Sequence, residues 1–294
     1  MSIFATRNSR VLVQGVTGKE GGFWTKHMKE MGTVIPFGVT PGKEGQVVDG
    51  IPVFHTVRRG MERFDADTAM IFVPPRFTKD AVYEALDAGV KKIVTVAEGI
   101  PLHESIQIRG AAQSCGAMVV GGNTSGVITP GEAMLGMFPY WIERVYKPGT
   151  IGVMTRSGSL TNEVTAEVVK AGYGVSTLVG IGGDTVPGTR FAEMLPLFEA
   201  DPGTQAVVVI GELGGTMEEE VAEAMAAGIF TKPVVAFIGG RTAPKGKRMG
   251  HAGAIVTGTK GSVENKTEAL EAAGGRVARK PSLVGPLLKE ALNL

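Results

Sequence analysis

The chain has 294 residues, 43% of them hydrophobic, and its 30 basic and 29 acidic side chains leave a formal charge of +1. That length suits two ordinary domains or one large one, and the near-balance of charge argues against a protein whose main business is the nucleic-acid backbone. One cysteine, Cys115, excludes an internal disulfide framework and a multi-cysteine metal site; residues 1–10 lack an apolar signal core, and no apolar run approaches the ~18–20 residues of a membrane span. The expectation is a cytoplasmic or mature organellar protein, bound neither to membrane nor to nucleic acid.

Short runs rich in Val and Ile recur at 11–13, 69–73, 92–96, 117–120, 150–154, 206–210 and 233–238, most of them bounded by Gly or Pro. Between them, 78–88, 105–114, 162–171, 190–199 and 218–226 have helical spacing. This alternation predicts an α/β fold with parallel sheets built from βαβ units. Strands apolar throughout fit sheets covered on both faces. The pattern lapses between Gly121 and Gly149, where Pro130, Pro139 and Pro148 fall. We therefore expect an N-terminal domain over about 1–125, a linker over about 126–147 and a C-terminal domain over about 148–294. Ligands of open α/β sheets bind at the carboxyl ends of strands, so the Gly-rich loops after each strand mark the functional edge.

The first strand runs into Gln14-Gly15-Val16-Thr17-Gly18-Lys19-Glu20-Gly21-Gly22, with a helix expected from about Phe23. Glycines at a strand-to-helix turn let a phosphate approach backbone N–H groups, although a tight βα turn without a ligand has the same look. The spacing is GxxGxxG, not the GxGxxG of dinucleotide sites. After the second strand comes Gly38-Val39-Thr40-Pro41-Gly42-Lys43, where an NAD site would carry Asp or Glu. Lys43 suits a phosphate better than a ribose diol, and coenzyme A carries a ribose 3′-phosphate and a diphosphate. A solvated surface lysine is the plainer alternative. The loop Ala97-Glu98-Gly99-Ile100-Pro101 should share this edge, with Glu98 either accepting from an adenine or ribose or capping the next helix.

In the second half, Thr155-Arg156-Ser157-Gly158-Ser159-Leu160-Thr161-Asn162-Glu163 opens a helix. It reads either as a Ser N-cap with Glu163 in a capping box or, with Arg156 adjacent, as a phosphate nest. Glu212, in Ile210-Gly211-Glu212-Leu213-Gly214-Gly215, ends an apolar strand; it either projects into the loop edge or caps the helix after Thr216. His251 lies between glycines after Arg241, Lys245, Lys247 and Arg248. A neutral imidazole is a competent nucleophile toward phosphorus, and Glu212 is placed to orient it. A satisfied structural histidine is the bland reading, and it is retained for His27, His55 and His103. No Walker A motif or kinase signature occurs, so a phosphoryl group on His251 would come from a nucleotide on another chain.

Together the segments 14–18, 38–43, 98–101, 126–132, 156–158, 179–184, 210–212 and 243–255 resemble the alpha subunit of succinate–CoA ligase. The resemblance implies a Rossmann-like CoA-binding domain followed by a flavodoxin-like ligase domain. It also implies an ATP-grasp beta subunit that holds ATP or GTP with Mg²⁺, in a heterodimer or heterotetramer. Matching positions place CoA contacts on Thr17, Gly18, Lys19, Glu20, Lys43, Val96, Ala97 and Glu98, and no metal on this chain. Ser157, Gly158 and Ser159 become the phosphate-binding helix start, Glu212 and His251 the catalytic pair, and Asn162 a substrate contact. The implied reaction passes phosphate from nucleotide to histidine to acid, and CoA then displaces it. The chain departs from the succinate enzymes at Asn123-Thr124-Ser125-Gly126, where they carry Asn-Cys-Pro-Gly, and at Asn162, where they carry Tyr. The segment 156–163 is similar to the matching part of ATP-citrate lyase, where Asn also occurs. Succinate, with a role in the tricarboxylic acid cycle, is the first expectation; citrate, as in citryl-CoA synthetase, and malate are alternatives. A nicotinamide oxidoreductase and a non-catalytic CoA-binding protein are the rivals from other classes.

Overall fold

A computed structural model describes residues 3–243, 250–254 and 261–293. The chain divides into two compact units, one of Phe4–Phe138 with Val186–Thr189, the other of Met1–Ile3, Pro139–Thr185 and Arg190–Leu294.

The first unit runs β1 (Val11–Gln14), α1 (Lys19–Met31), β2 (Gly38–Val39), β3 (Val47–Val48), β4 (Ile51–Phe54), α2 (Val57–Met61), β5 (Thr68–Ile71), α3 (Pro75–Asp87), β6 (Lys92–Thr95), α4 (Leu102–Ser114), β7 (Met118–Val120), β8 (Gly126–Thr129) and β9 (Ala133–Gly136). Its sheet has the order β3-β4-β2-β1-β5-β6-β7, parallel except for β3. Leaving β3 aside, the six parallel strands follow the 3-2-1-4-5-6 order of dinucleotide-binding folds, whose strand order reverses between β1 and β5. Every residue of β1 and β5 is buried, as strands covered on both faces require.

Helix α1 begins at Lys19, four residues before the expected Phe23, so Gly21 and Gly22 lie inside its first turns. The reason is a close approach. A Cβ on Gly21 would stand 2.2 Å from the Gly15 carbonyl oxygen, so the turn packs against the helix only because residue 21 has no side chain. Residues 126–136, inside the expected linker, form the antiparallel hairpin β8–β9, with Gly126 opposite Gly136. Thr33 ties it to the end of α1: its hydroxyl donates to the Met134 carbonyl at 2.9 Å and accepts from the Met134 N–H at 2.9 Å.

The second unit runs β10 (Pro148–Thr155), α5 (Gly158–Lys170), β11 (Val175–Gly180), α6 (Phe191–Ala200), β12 (Ala206–Glu212), α7 (Met217–Ala226), β13 (Val234–Gly239), α8 (Val263–Ala272), β14 (Arg276–Ala278), a 3₁₀ turn at Pro281–Leu283 and α9 (Val284–Ala291). Strands β14-β13-β12-β10-β11 are all parallel, which is the flavodoxin order 2-1-3-4-5. All seven residues of β12 are buried. Gly152 in β10 admits the Phe198 ring of α6, whose Cε1 lies 2.6 Å from where a Cβ would sit. Here the strand order reverses between β10 and β12, so the crevice outside their carboxyl ends is where this topology places a ligand.

Candidate active site

In the first unit the carboxyl ends of β1, β2 and β6 carry the residues expected to hold CoA. Gly15, at φ +82°, turns the chain after β1 so closely over β5 that a Cβ would stand 2.5 Å from the Phe72 carbonyl oxygen. The Gly18 N–H donates to the Gly15 carbonyl at 3.0 Å, and α1 starts with no side-chain cap, which leaves its first N–H groups for an anion. The Thr40 hydroxyl accepts from the Thr17 hydroxyl at 3.2 Å and the Thr17 N–H at 3.5 Å, tying the β1 turn to the loop after β2. That loop is shaped by Lys43 N–H donating to the Thr40 carbonyl at 3.1 Å and by Gly42 N–H donating to His55 Nδ1 at 2.7 Å. Lys19, Glu20, Lys43 and Glu98 are exposed, Val96 is half-buried and Ala97 is buried. The Ala97 carbonyl accepts from the Asn123 N–H at 2.8 Å. This edge presents a rigid backbone with exposed charged side chains along it.

In the second unit the crevice between β10 and β12 collects Arg156, Ser157 and Glu212. Ser157 caps α5, its hydroxyl accepting from the Leu160 N–H at 3.5 Å. Leu160 therefore occupies the third helical position, and Glu163 lies a turn further on, outside a capping box. The Ser157 and Ser159 hydroxyls are 3.4 Å apart; Ser157 is buried and Ser159 exposed. Asn162 is exposed in the second turn, and its side-chain oxygen accepts from the Tyr146 hydroxyl. Burial pushes the Tyr146 phenol well above its ordinary range, so it stays a donor.

His251 is brought to the end of β12. Its Nδ1 lies 2.8 Å from Glu212 Oε2. Facing a carboxylate, Nδ1 carries the proton, which sets the lone pair on Nε2, the nitrogen a nucleophile needs. The ring lies over Gly183, where a Cβ would stand 2.4 Å from His251 Cγ. The Gly253 N–H donates to the Gly183 carbonyl at 3.2 Å and the Ala254 N–H to the His251 carbonyl at 3.1 Å. Of the four cations expected beside the histidine, Arg241 is exposed, and Lys245, Lys247 and Arg248 lie outside the described residues.

Arg156 is placed otherwise than its position beside Ser157 suggests. Its side chain is 2% exposed and turns toward Glu212, with Nη2 3.3 Å from Oε1. Its Nη1 donates to the Gly214 carbonyl at 2.8 Å and faces Glu218 Oε1 at 3.4 Å. Glu218 in turn meets Lys266, and both side chains are fully buried. Burial alone would raise the Glu218 carboxyl; Lys266, then Arg156, outweigh it and hold the group below the usual carboxylate range. Sequence reading missed Glu218, Lys266 and Gly183, and left His55 as a structural histidine. Only Gly183, in Gly182-Gly183-Asp184, sits in a motif that drew attention. Among the described residues no cluster of three or more His, Cys, Asp or Glu side chains is arranged to hold a metal ion, and no helix is long and apolar enough to cross a membrane.

Comparison with known proteins fits this division of labour. A CoA binding domain family matches residues 6–99, and a CoA-ligase family matches residues 154–276. The chain is 75% identical over 293 residues to an ADP-forming sulfoacetate–CoA ligase subunit of Bilophila wadsworthia, covering 100% of both chains. It is 68% identical over 290 residues to another such subunit from Acholeplasma sp, covering 99% of this chain and 98% of that one. It is 47% identical over 292 residues to succinate–CoA ligase [ADP-forming] subunit alpha 2 of Archaeoglobus fulgidus, covering 99% of this chain and 100% of the other. In fold it is similar to the ATP citrate lyase of Methanothrix soehngenii in complex with citrate and coenzyme A, with a TM-score of 0.90 at 24% identity over 98% of this chain. The chain spans 50% of that longer lyase chain. The two matched domains and the full-length relatives show that the chain belongs to the CoA-ligase family, as the alpha subunit of an ADP-forming acid–CoA ligase.

Proposed function

We propose that this subunit serves an ADP-forming sulfoacetate–CoA ligase and that His251 carries the phosphoryl group between nucleotide and acid. The observation that carries the mechanism is the 2.8 Å contact between His251 Nδ1 and Glu212. The acid is supported by the relatives 75% and 68% identical, both named for sulfoacetate. Succinate is thereby the second reading, supported by the Archaeoglobus relative, and citrate and malate follow it.

In this mechanism His251 Nε2 attacks the terminal phosphorus of the nucleotide, and ADP leaves. Glu212 keeps the Nδ1 proton and balances the positive charge the ring gains as Nε2 bonds to phosphorus. The N–H groups at the start of α5, with Ser157, Gly158 and Ser159, receive the phosphoryl oxygens. A sulfoacetate carboxylate oxygen then takes the phosphoryl group from Nε2, giving an acyl phosphate. CoA thiolate, held along Thr17–Glu20, Lys43 and Val96–Glu98, attacks the acyl carbon and phosphate leaves. Asn162, its oxygen engaged by Tyr146, presents its amide N–H groups to the acid. The sulfonate is acceptor-only, so it suits a donor of this kind. The nucleotide and Mg²⁺ belong in this reading to an ATP-grasp beta subunit, in a heterodimer or heterotetramer in the cytoplasm. In this reading CoA binding belongs to about 1–125 and phosphoryl chemistry to about 148–294.

The test uses the alpha–beta complex with Mg-ATP labelled in the terminal phosphate. Acid-labile label on His251 that sulfoacetate plus CoA discharges faster than succinate, citrate or malate is the expected result. Label discharged best by succinate moves the acid to the second reading. A CoA-binding complex that never takes label on His251 sinks the mechanism.

A further inference from the structure

We infer that Arg156, Glu218 and Lys266 are positioning residues whose buried chain of charges holds the Glu212 carboxylate in the one orientation that keeps the proton on His251 Nδ1. This rests on the reading of His251 as the phosphorylated residue. The chain is continuous. Glu212 gives one oxygen to His251 at 2.8 Å, and its other oxygen lies 3.3 Å from Arg156 Nη2. Glu218 Oε1 faces Arg156 Nη1 at 3.4 Å and also accepts from the backbone N–H of Glu212 at 3.1 Å. Glu218 Oε2 meets Lys266 Nζ, which faces Glu219 Oε2 at 3.2 Å as well. The residues come from four elements: the end of β10, the end of β12, the first turn of α7 and the body of α8.

Two features separate this from a stabilising ion cluster. First, buried ion pairs add little net stability over apolar groups of the same volume, so three fully or almost fully buried charges are poorly explained as glue. Second, the chain touches the histidine segment twice. Glu212 meets the ring, and the Arg156 fork lies against Gly253, where a Cβ would come within 2.9 Å of Nη2. Glu218 holds the main chain of Glu212, and the Arg156 charge 3.3 Å from its second, buried oxygen draws that oxygen away from the ring, which leaves Oε2 to face His251. Arg156 does this with a planar fork that a lysine lacks.

The test takes the alpha–beta complex and two variants, Arg156→Lys and the double variant Glu218→Gln with Lys266→Met. The first keeps the charge and removes the fork. The second removes both charges of the fully buried pair together, leaving Arg156 with Glu212 and the Gly214 carbonyl and only the partly exposed Glu219 without its cation, so a folded variant remains if the first fails to fold. Ring ¹⁵N shifts of His251, assigned against a His251→Asn spectrum, report which nitrogen carries the proton, and single-turnover labelling reports the reaction. In both variants we expect the Nδ1–H preference to relax toward Nε2–H. Labelling should slow by about tenfold to a hundredfold, the size of a misplaced reacting group, with CoA affinity unchanged. A folded variant with the wild-type tautomer and labelling rate overturns the inference, because a structural role alone would leave both readouts unmoved. If the wild type never takes label while the variants shift the ring, the function reading fails and the positioning stands. If the wild type takes label and the ring shifts are unmoved, the reverse holds.

Discussion

The carboxyl edges of the two sheets obey one topological rule and are built in opposite ways. Along the N-terminal edge, Lys19, Glu20, Lys43 and Glu98 are exposed, and the shape comes from backbone: the Gly15 turn, the Thr17–Thr40 contact and the His55-supported loop. Along the C-terminal edge the charged groups Arg156, Glu212, Glu218 and Lys266 are buried and form a chain of ion pairs. A large ligand with several phosphates can be held by N–H groups and loosely placed cations, because many weak contacts add up and none has to be exact in direction. A ring nitrogen that must keep its proton on one side needs fixed charges out of water, where each acts more strongly and cannot reorient. The first edge is therefore expected to respond to substitution in binding, and the second in rate.

The largest effect expected is at His251. His251→Asn should abolish labelling, a loss of roughly 10⁴-fold or more in turnover, and leave the CoA dissociation constant within about twofold. Calorimetric titration of CoA beside single-turnover labelling checks both halves. A comparable loss of CoA binding would show that the two edges do not work separately. Gly183→Ala comes next. The backbone at 183 is not left-handed, so alanine is tolerated there, and the three atoms nearest its Cβ all belong to the His251 ring, Cγ at 2.4 Å. The ring must tilt off Glu212, and labelling should fall about tenfold to a hundredfold with CoA affinity unchanged.

Acid sharpens the same contrast. The Glu218 carboxyl is raised by burial and lowered more by Lys266 and Arg156, so its folded pKa is depressed. A depressed carboxylate stabilises the fold above its unfolded pKa, about 4.3, and that contribution is lost as pH falls through the folded value. The C-terminal unit should therefore begin to lose stability below about pH 4. Lys266→Met, which lets the carboxyl rise toward or above its unfolded value, should shrink that acid-dependent loss or reverse its sign, at a cost in stability at neutral pH. Each unit holds one of the two tryptophans, Trp24 and Trp141, so Trp141 fluorescence in a Trp24→Phe background follows the C-terminal unit alone. An acid-dependent loss of the same size in Lys266→Met would mean that Lys266 does not hold the Glu218 charge.

Much of this architecture is legible in the sequence, because central parallel strands are uniformly apolar. The runs at 11–13, 150–154 and 206–210 fall on β1, β10 and β12, and the strand-to-helix turns after them mark both ligand edges. Short strands are hard to read: β2 has two residues and β8–β9 lies among glycines and prolines. The start of α1 is masked because Gly21, a poor helix former, is present for packing against Gly15. The pairing of Glu212 with His251 follows from two Gly-framed motifs at strand ends. The charges behind Glu212 do not. Lys266 looks like any solvent lysine on an amphipathic helix, and only folding reveals that it faces Glu218, 48 residues away.

The smallest effect expected is at Lys43, and it decides whether the N-terminal edge is built as described. Lys43 is exposed, so its attraction for a CoA phosphate is weakened by solvent and screened over ~8 Å at physiological salt. Lys43→Ala should raise the CoA dissociation constant about three- to tenfold, or ~0.7–1.4 kcal/mol, at low ionic strength. The difference from wild type should shrink as salt rises. His55→Ala acts on the same loop by removing the acceptor of the Gly42 N–H, so its effect should be indifferent to salt. Titrations at two salt concentrations separate the charge from the scaffold. If Lys43→Ala weakens CoA a hundredfold and salt does not soften the loss, Lys43 is a buried anchor in the complex, and the N-terminal edge resembles the C-terminal one more than its exposed side chains indicate.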